Sequence, residues 1–281
     1  MHYCVSDIHG NADALNKILE KINFSDTDDE LYVLGDVCDR HPYGVHILLE
    51  FMKHKNVHLI RGNHEEFILK FYQYKNSNNR NSGNIIIEDY AEGLKNLYRK
   101  WAWNGGNHTI ADLIKLGEQN PELENHLIDY INKSPYSIDL NLNNKKFILR
   151  HNLGTKEYQV AKCLTHNVDD VYTSIEEFMV WDRNMLFTLD YPSDTVLVFG
   201  HTPVIALYDS IKNSPALYDK ISFELFDKLK EVSIQKRLNI FNYYNQYCID
   251  CGAAYSNNRP EDGMRLACLR LEDMAEFYSN D

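Results

Sequence analysis

Five stretches of the chain place metal-binding side chains directly after short apolar runs. They read SDIHG at 6–10, GDVCDR at 35–40, GNHE at 62–65, RHN at 150–152 and GHTP at 200–203. Aspartate, asparagine and histidine supply the oxygen and nitrogen atoms that bind manganese, iron or zinc in proteins. The residue types therefore indicate a site for a pair of divalent metal ions, and such a pair can activate water for hydrolysis.

The apolar runs before these stretches are predicted to be strands, with helices between them. Residues 15–22 and 45–52 each carry an apolar stripe at the helical i, i+3, i+4 and i+7 spacing, and Pro42 is a predicted first-turn residue. Alternating strands and helices predict a parallel sheet covered by helices. Because parallel strands end at a common edge, the polar stretches are expected to converge there. The strands predicted in this part are 3–6, 31–34 and 57–60.

The rest of the chain has a less regular pattern. A segment at about 210–247 reads as an insertion with a helix near 221–229. No internal repeat or linker is visible, so residues 1–281 are interpreted as a single domain. The other predicted features are a polar loop at 75–84, helices to about residue 132 with a break at Asn104-Gly105-Gly106, a hairpin of 137–141 and 146–149 around Asn143-Asn144, and strands at 195–199, Ile249 and 266–271.

Composition limits the classes of protein to which the chain can belong. With 281 residues, 44% of them hydrophobic, it can bury a sizeable core. Its net charge of -12 argues against a nucleic-acid partner, since phosphate backbones are bound through clustered lysine and arginine. No apolar run approaches the roughly 18 residues of a membrane span. Six dispersed cysteines and a start without signal-peptide character predict a cytoplasmic protein, and oligomeric state stays open.

Four of the motifs, DIHG, GDVCDR, GNHE and GHTP, resemble in this order the metallophosphoesterase superfamily and its PPP family of serine/threonine phosphatases, especially the bacterial and phage members. The spacing is also similar, because Asp36 lies 29 residues after Asp7 and Asn63 lies 27 after Asp36. The resemblance covers most of the chain except the polar loop and the insertion. It implies an α/β fold, in which a metallophosphoesterase-like β-sandwich is flanked by helices as four α/β/β/α layers.

The resemblance also implies the ligands of two divalent ions. Asp7 and His9 would hold the first ion, and Asp36 would bridge it to the second. The remaining ligands of the second ion would be Asn63, His151 and His201. The ions implied are two manganese ions, with iron or zinc as alternatives.

The same resemblance implies the catalytic residues. Water shared by the two metals would be the nucleophile. His64 would be the general acid that protonates the leaving group, and Asp39 would orient its imidazole. Arg40 and Arg183 would hold the phosphate oxygens. Glu65 and its neighbour Glu66 are interpreted as residues of a helix start.

The chain departs from the family pattern at two places and leaves several substrates open. His41-Pro42 stands where the family commonly has glycine, and His151-Asn152-Leu153 replaces a His-Ala-Gly turn.

Asp39 and Arg40 favour a phosphomonoester, so the first hypothesis is a serine/threonine protein phosphatase that acts on a phosphorylated protein or a small phosphoester. The alternatives are a diadenosine tetraphosphate hydrolase, a class that characteristically lacks this acid, or another nucleotide phosphodiesterase. A third hypothesis is a non-catalytic phosphate-binding module.

Overall fold

The strands of the chain form two sheets. The structure is a computed structural model that describes residues 1–77, 87–164, 168–183, 185–186, 189–213, 238–256 and 263–280. The strands are β1 His2–Val5, β2 Glu30–Val33, β3 Val57–Leu59, β4 Ser137–Leu142, β5 Lys145–Arg150, β6 Thr195–Phe199, β7 Phe241–Tyr243, β8 Gln246–Cys248, β9 Ala267–Arg270 and β10 Ala275–Tyr278. Each sheet has five strands, in the orders β10-β9-β1-β2-β3 and β4-β5-β6-β8-β7.

Helices cover the outer face of each sheet. They are α1 Ala12–Lys21, α2 Gly44–Phe51, α3 Asn63–Ser77, α4 Ile87–Trp103, α5 Asn107–Gln119, α6 Pro121–Lys133, α7 Thr155–Leu164, α8 Val168–Val171, α9 Ile175–Trp181 and α10 Val204–Asn213. Alternate residues of a strand point to opposite faces. In β1, Tyr3 and Val5 pack in the core shared with α1, α2, α3, α5 and α6, whereas Cys4 packs in the core shared with the second sheet. The predicted α/β sandwich flanked by helices is confirmed.

The expectation of one parallel sheet is wrong in part. β1, β2 and β3 pair in parallel, but β9 and β10 extend the same sheet in antiparallel fashion. The second sheet is also mixed, with β5, β6 and β8 parallel and with β4 and β7 antiparallel at its edges. β7 and β10 were not predicted, and β7 belongs to the second sheet although it lies within the segment interpreted as an insertion at about 210–247.

Several local predictions have clear outcomes. The hairpin is confirmed, since β4 and β5 pair around Asn143 and Asn144, whose φ angles of 50° and 63° suit a two-residue turn. Pro42 lies before α2 rather than in its first turn. The strand predicted at Ile249 ends one residue earlier.

The first three residues of the polar loop predicted at 75–84 are helical. α3 continues to Ser77, and the Lys75 ammonium in its last turn binds the Glu124 carboxylate of α6 at 2.6 Å. The rest of the predicted loop, and the helix predicted at 221–229, lie outside the described residues. Within the described residues, no helix combines the length and the hydrophobicity needed to cross a membrane.

Candidate metal centre

The polar stretches lie at neighbouring edges of the two sheets rather than along one sheet. The first sheet contributes the loops after β1 and β2 and the first turn of α3, which follows β3. The second sheet contributes the loops after β5 and β6. The parallel pairing of β1 with β2 and of β5 with β6 explains why these loops emerge on the same side of each sheet. The candidate residues therefore meet at a junction between the sheets.

Many of the candidate residues have left-handed backbone conformations. Such conformations are uncommon for residues other than glycine, although aspartate and histidine tolerate them better than most. They turn the chain sharply at the end of a strand and aim the side chains into the junction. The residues concerned and their φ angles are Asp7 54°, His9 50°, Asp36 55°, Asp39 73°, Arg40 68° and His201 66°.

Asp36 occupies the middle of the cluster. Its Oδ2 lies 3.6 Å from His9 Nε2, and its Oδ1 lies 3.4 Å from His151 Nε2. The backbone N–H of His64 donates to Oδ1 at 3.0 Å. Ligand atoms of His9, Asp36 and His64 lie within 4.8 Å of one another, and so do those of Asp36, His151 and His201. The two carboxylate oxygens therefore face two separate groups of potential ligands.

Hydrogen bonds fix which nitrogen two of the histidines present. The Nδ1–H of His9 donates to the carbonyl of Cys38 at 2.8 Å, and the Nδ1–H of His151 donates to the carbonyl of Leu34 at 2.7 Å. Each ring then directs the lone pair of Nε2 toward the centre. Metal-binding histidines are commonly oriented in this way, by donating the N–H of the other ring nitrogen to a carbonyl or carboxylate. Burial lowers the pKa of His9 well below its ordinary value, which keeps that lone pair available.

Two of the converging atoms, Nε2 of a neutral His151 and Oδ1 of Asn63, carry lone pairs rather than hydrogens. His151 Nε2 lies 3.0 Å from Asn63 Oδ1, and His201 Nδ1 lies 2.9 Å from the same oxygen. With its Nδ1–H already used, neutral His151 has no proton to donate to Asn63 or to Asp36. Facing lone pairs repel each other unless a cation lies between them. The chemistry of the donor set therefore fits a divalent metal.

Asp7 connects the two sheets at the centre. Its Oδ2 accepts hydrogen bonds from Ser6 Oγ at 2.5 Å and from the backbone N–H of His201 at 2.9 Å. Its Oδ1 lies 3.9 Å from His9 Nε2. Burial raises the pKa of this carboxyl, and the neighbouring Asp36 adds to the effect. A cation would relieve the repulsion between the two buried carboxylates.

Gly200 allows the loop after β6 to approach Asp7. A Cβ atom at this position would lie 1.9 Å from Ser6 Oγ and 2.2 Å from Asp7 Oδ2. Because both contacts are too close, we expect Gly200→Ala to lower the free energy of unfolding by about 1–3 kcal/mol. Urea unfolding of the metal-free protein measures this effect.

A matched glycine provides the control for that prediction. In Gly93→Ala the atom nearest to the added Cβ would be the hydroxyl oxygen of Tyr74 at 3.0 Å, and Gly93 lies within α4. Alanine favours a helix interior over glycine by about 0.5–1 kcal/mol, so this variant should be at least as stable as the wild type. Equal stability of Gly200→Ala and the wild type would contradict the close approach.

His64 and Asp39 form a buried pair beside the cluster. His64 Nδ1–H donates to Asp39 Oδ2, and His64 Nε2 lies 3.7 Å from Asp36 Oδ2. Burial opposes a charge on the imidazole, but Asp36 and Asp39 together raise the pKa of His64 above its ordinary value. The arrangement gives His64 one nitrogen that is held by Asp39 and one that faces the centre.

The two candidate arginines lie at the border of the centre. The Arg40 guanidinium lies 4.8 Å from the centroid of the Tyr255 ring, and Arg183 Nη1 contacts Thr202 Oγ1 at 3.5 Å. Burial is the main cause that lowers the pKa of His9, and the positive charge of Arg40 is the next. In the same way, burial and then the charge of Arg183 lower the pKa of His201. The arginines therefore place positive charge near both halves of the cluster.

Glu65 has a larger role than its predicted place in a helix start. Its carboxylate accepts the N–H of Gly62 at 2.9 Å, which fits that prediction. It also accepts the N–H groups of Asp36 at 2.8 Å and of Val37 at 2.9 Å, so it fixes the loop that carries Asp36. Glu66 instead binds Arg61 at 3.2 Å. No local signal in the sequence separates these adjacent glutamates.

Asn152 is another functional neighbour that sequence reasoning left without a role. Its amide donates to the carbonyl of Asp182, while the Asp182 carboxylate accepts the hydroxyl of Tyr172 at 2.9 Å. These bonds tie the segment before Arg183 to the loop that carries His151. The asparagine that replaces alanine in the expected turn thus supports the position of Arg183.

Comparison with known proteins adds an independent finding about the chain. A family model described as calcineurin-like phosphoesterase matches residues 3–230. Two relatives described as symmetrical bis(5'-nucleosyl)-tetraphosphatases come from Neisseria gonorrhoeae strain NCCP11945 and from Acidovorax ebreus strain TPSY. The first is 36% identical over 69 residues, which are 24% of this chain and 25% of the relative. The second is 40% identical over 68 residues, which are 24% of each chain.

These sequence matches thus span about a quarter of each relative's length. Among solved structures, the chain is similar to one provisionally described as a diadenosine tetraphosphatase, with a TM-score of 0.51 and 16% identity. That match covers 99% of this chain and 91% of the other. At this identity it supports the fold alone.

Proposed function

The chain belongs to the calcineurin-like metallophosphoesterase family, and we propose that it is a phosphomonoesterase that removes phosphate from serine and threonine side chains of proteins. The observation that carries this proposal is the buried pair of Asp39 and His64 beside the cluster of candidate ligands. A serine or threonine alkoxide is a strongly basic leaving group. It departs readily only when an acid protonates it, and His64 is placed to do so.

We propose that the cluster holds two divalent ions, with manganese as the first choice. Asp7, His9 and Asp36 would hold one ion. The other would be held by Asp36, Asn63, His151 and His201. Bound ions of this kind act as Lewis acids on a phosphoryl group and increase the acidity of water.

The remaining steps belong to the protein's own side chains. Arg40 and Arg183 would hold the non-bridging phosphate oxygens through their planar donor groups. His64 would deliver its Nε2 proton to the departing oxygen, because its Nδ1–H is already donated to Asp39. Asp39 would keep the imidazole from turning through this hydrogen bond. Burial of both side chains limits their exchange of protons with bulk water.

The second candidate function is hydrolysis of a dinucleoside tetraphosphate. The observation in its favour is that the two relatives named above are described by that activity. A nucleoside diphosphate is a much weaker base than an alkoxide, so its departure needs little help from an acid. The Asp39–His64 pair therefore favours the first candidate.

A substrate panel tests the proposal. We expect the purified protein with manganese to hydrolyse p-nitrophenyl phosphate and a phosphoserine peptide, and we expect kcat/KM for the peptide to exceed that for diadenosine tetraphosphate by about tenfold or more. A chelator should abolish the activity, and added manganese should restore it.

Two other results would change the assignment. Faster turnover of diadenosine tetraphosphate than of either phosphomonoester would favour the second candidate. Binding of the phosphoserine peptide without turnover of any substrate would instead indicate a phosphate-binding module.

A further inference from the structure

The segment of residues 101–109, WAWNGGNHT, packs around the turn that carries Asp39 and Arg40. The backbone N–H of Arg40 donates to the carbonyl of Gly105 at 2.9 Å. The backbone N–H of Asp39 donates to Thr109 Oγ1 at 3.1 Å. The segment joins α4 to α5, and the proposed chemistry assigns it no task. Its contacts connect the junction of these two helices to the pair of Asp39 and His64.

Trp101 makes the most direct of these contacts. Its indole N–H donates to Asp39 Oδ2 at 2.7 Å, and this oxygen also accepts the Nδ1–H of His64. Among the described residues, the other carboxylate oxygen, Oδ1, is buried and has no hydrogen-bond partner. The Asp39 carboxylate is thus held through one oxygen by two N–H donors, one from His64 and one from Trp101.

The indole ring is fixed in place by its surroundings. The Trp101 side chain is fully buried, stacks on Phe67 with ring centroids 5.9 Å apart, and meets the Phe71 ring edge-on at 5.6 Å. A Cβ atom at Gly106 would lie 2.2 Å from the indole, so only glycine permits this approach. Phe67 also contacts the His64 ring, with centroids 5.9 Å apart. A ring packed so tightly is a rigid support for its hydrogen bond.

We propose that Trp101 is a positioning residue whose indole N–H keeps the Asp39 carboxylate in the orientation that aligns His64 with the leaving group. This inference rests on the proposed phosphomonoesterase reaction. Without the indole donor, the carboxylate can rotate and exchange its two oxygens at His64. The imidazole then spends less time in the orientation that delivers its proton, because supporting contacts decide how well a reactive group is aligned.

Trp101→Phe tests the hydrogen bond while it keeps an aromatic ring in the core. We expect kcat for phenyl phosphate, whose leaving group is basic, to fall about tenfold, and kcat for p-nitrophenyl phosphate to change less than about twofold. KM should stay the same, since Trp101 does not contact the substrate. Trp103→Phe is the matched control, because Trp103 is 91% exposed and should tolerate the change with both substrates.

A structural measurement makes the test independent of turnover. In the nitrogen-15-labelled, metal-free protein, the indole N–H of Trp101 should exchange slowly with solvent, and Asp39→Asn should shift its resonance. The resonance of exposed Trp103 should exchange fast and stay unshifted. If the wild type hydrolyses neither phosphomonoester, the proposed function fails, whereas an unshifted Trp101 resonance would overturn the contact on which this inference depends.

Two kinetic results would overturn the positioning role. An equal loss with phenyl phosphate and p-nitrophenyl phosphate would mean that Trp101 supports the site only in a general structural way. No loss with either substrate would mean that its hydrogen bond is dispensable. If circular dichroism shows that Trp101→Phe does not fold, 3-benzothienylalanine at position 101 provides the same comparison of leaving groups, because its sulfur replaces the indole N–H that Asp39 accepts while the shape of the ring is kept.

Discussion

Asp36→Asn is expected to lower kcat for p-nitrophenyl phosphate by about 10³-fold or more, because bound metal stabilises the transition state by several kcal/mol. Each oxygen of Asp36 faces a different histidine, at 3.6 Å for His9 and 3.4 Å for His151. Asparagine keeps only one oxygen. Its NH₂ group cannot bind a cation, so one half of the cluster loses its shared ligand.

Metal content and steady-state kinetics check this expectation together. The variant should bind fewer divalent ions than the wild type, as measured by elemental analysis after gel filtration. Asp139→Asn is a suitable control, since it makes the same chemical change at a carboxylate that is 52% exposed on β4. Full activity of Asp36→Asn with two ions bound would contradict the bridging role.

His64→Ala is expected to lower kcat for a phosphoserine peptide by about 10²–10⁴-fold, the usual contribution of a general acid. The loss should be much smaller for p-nitrophenyl phosphate, whose leaving group needs little protonation. Added imidazole should restore part of the peptide activity by entering the space that the side chain leaves. Parallel rate measurements with both substrates, with and without imidazole, check these expectations.

Metal content decides between two roles for His64. Its ligand atom lies within 4.8 Å of those of His9 and Asp36, a distance that also suits a metal ligand. If His64 is the acid, His64→Ala should bind as much manganese as the wild type. A lower manganese content, with equal losses for the two substrates, would assign the residue to metal binding instead.

The sequence predicts the position of the cluster well because each candidate ligand follows a strand. A strand that ends in Asp, His or Asn beside glycine is visible locally, and the order of the strands brings these ends together. The resemblance then relates Asp7, Asp36 and Asn63 through their spacing. What the sequence does not reveal is that two different sheets contribute, because the pairing of β5 with β6 depends on packing over the whole chain.

Contacts between distant positions account for the rest. Trp101 and Asp39 are 62 residues apart, and within its helix Trp101 looks like any apolar core residue. Glu65 cannot be separated from Glu66 by residue type, although only Glu65 is fully buried and reaches Asp36. Periodicity indicates that a side chain is buried, but it does not indicate which residue is its hydrogen-bond partner in the core.

The distance between the two sheets determines how far apart the candidate ligands lie. Asp7 and Asp36 follow strands of one sheet, whereas His151 and His201 follow strands of the other. Side chains packed between the sheets, such as Tyr32 and Phe147, therefore determine the distance between the two halves of the candidate centre. We therefore expect a change of side-chain volume at such a distant position to alter the spacing of the candidate ligands.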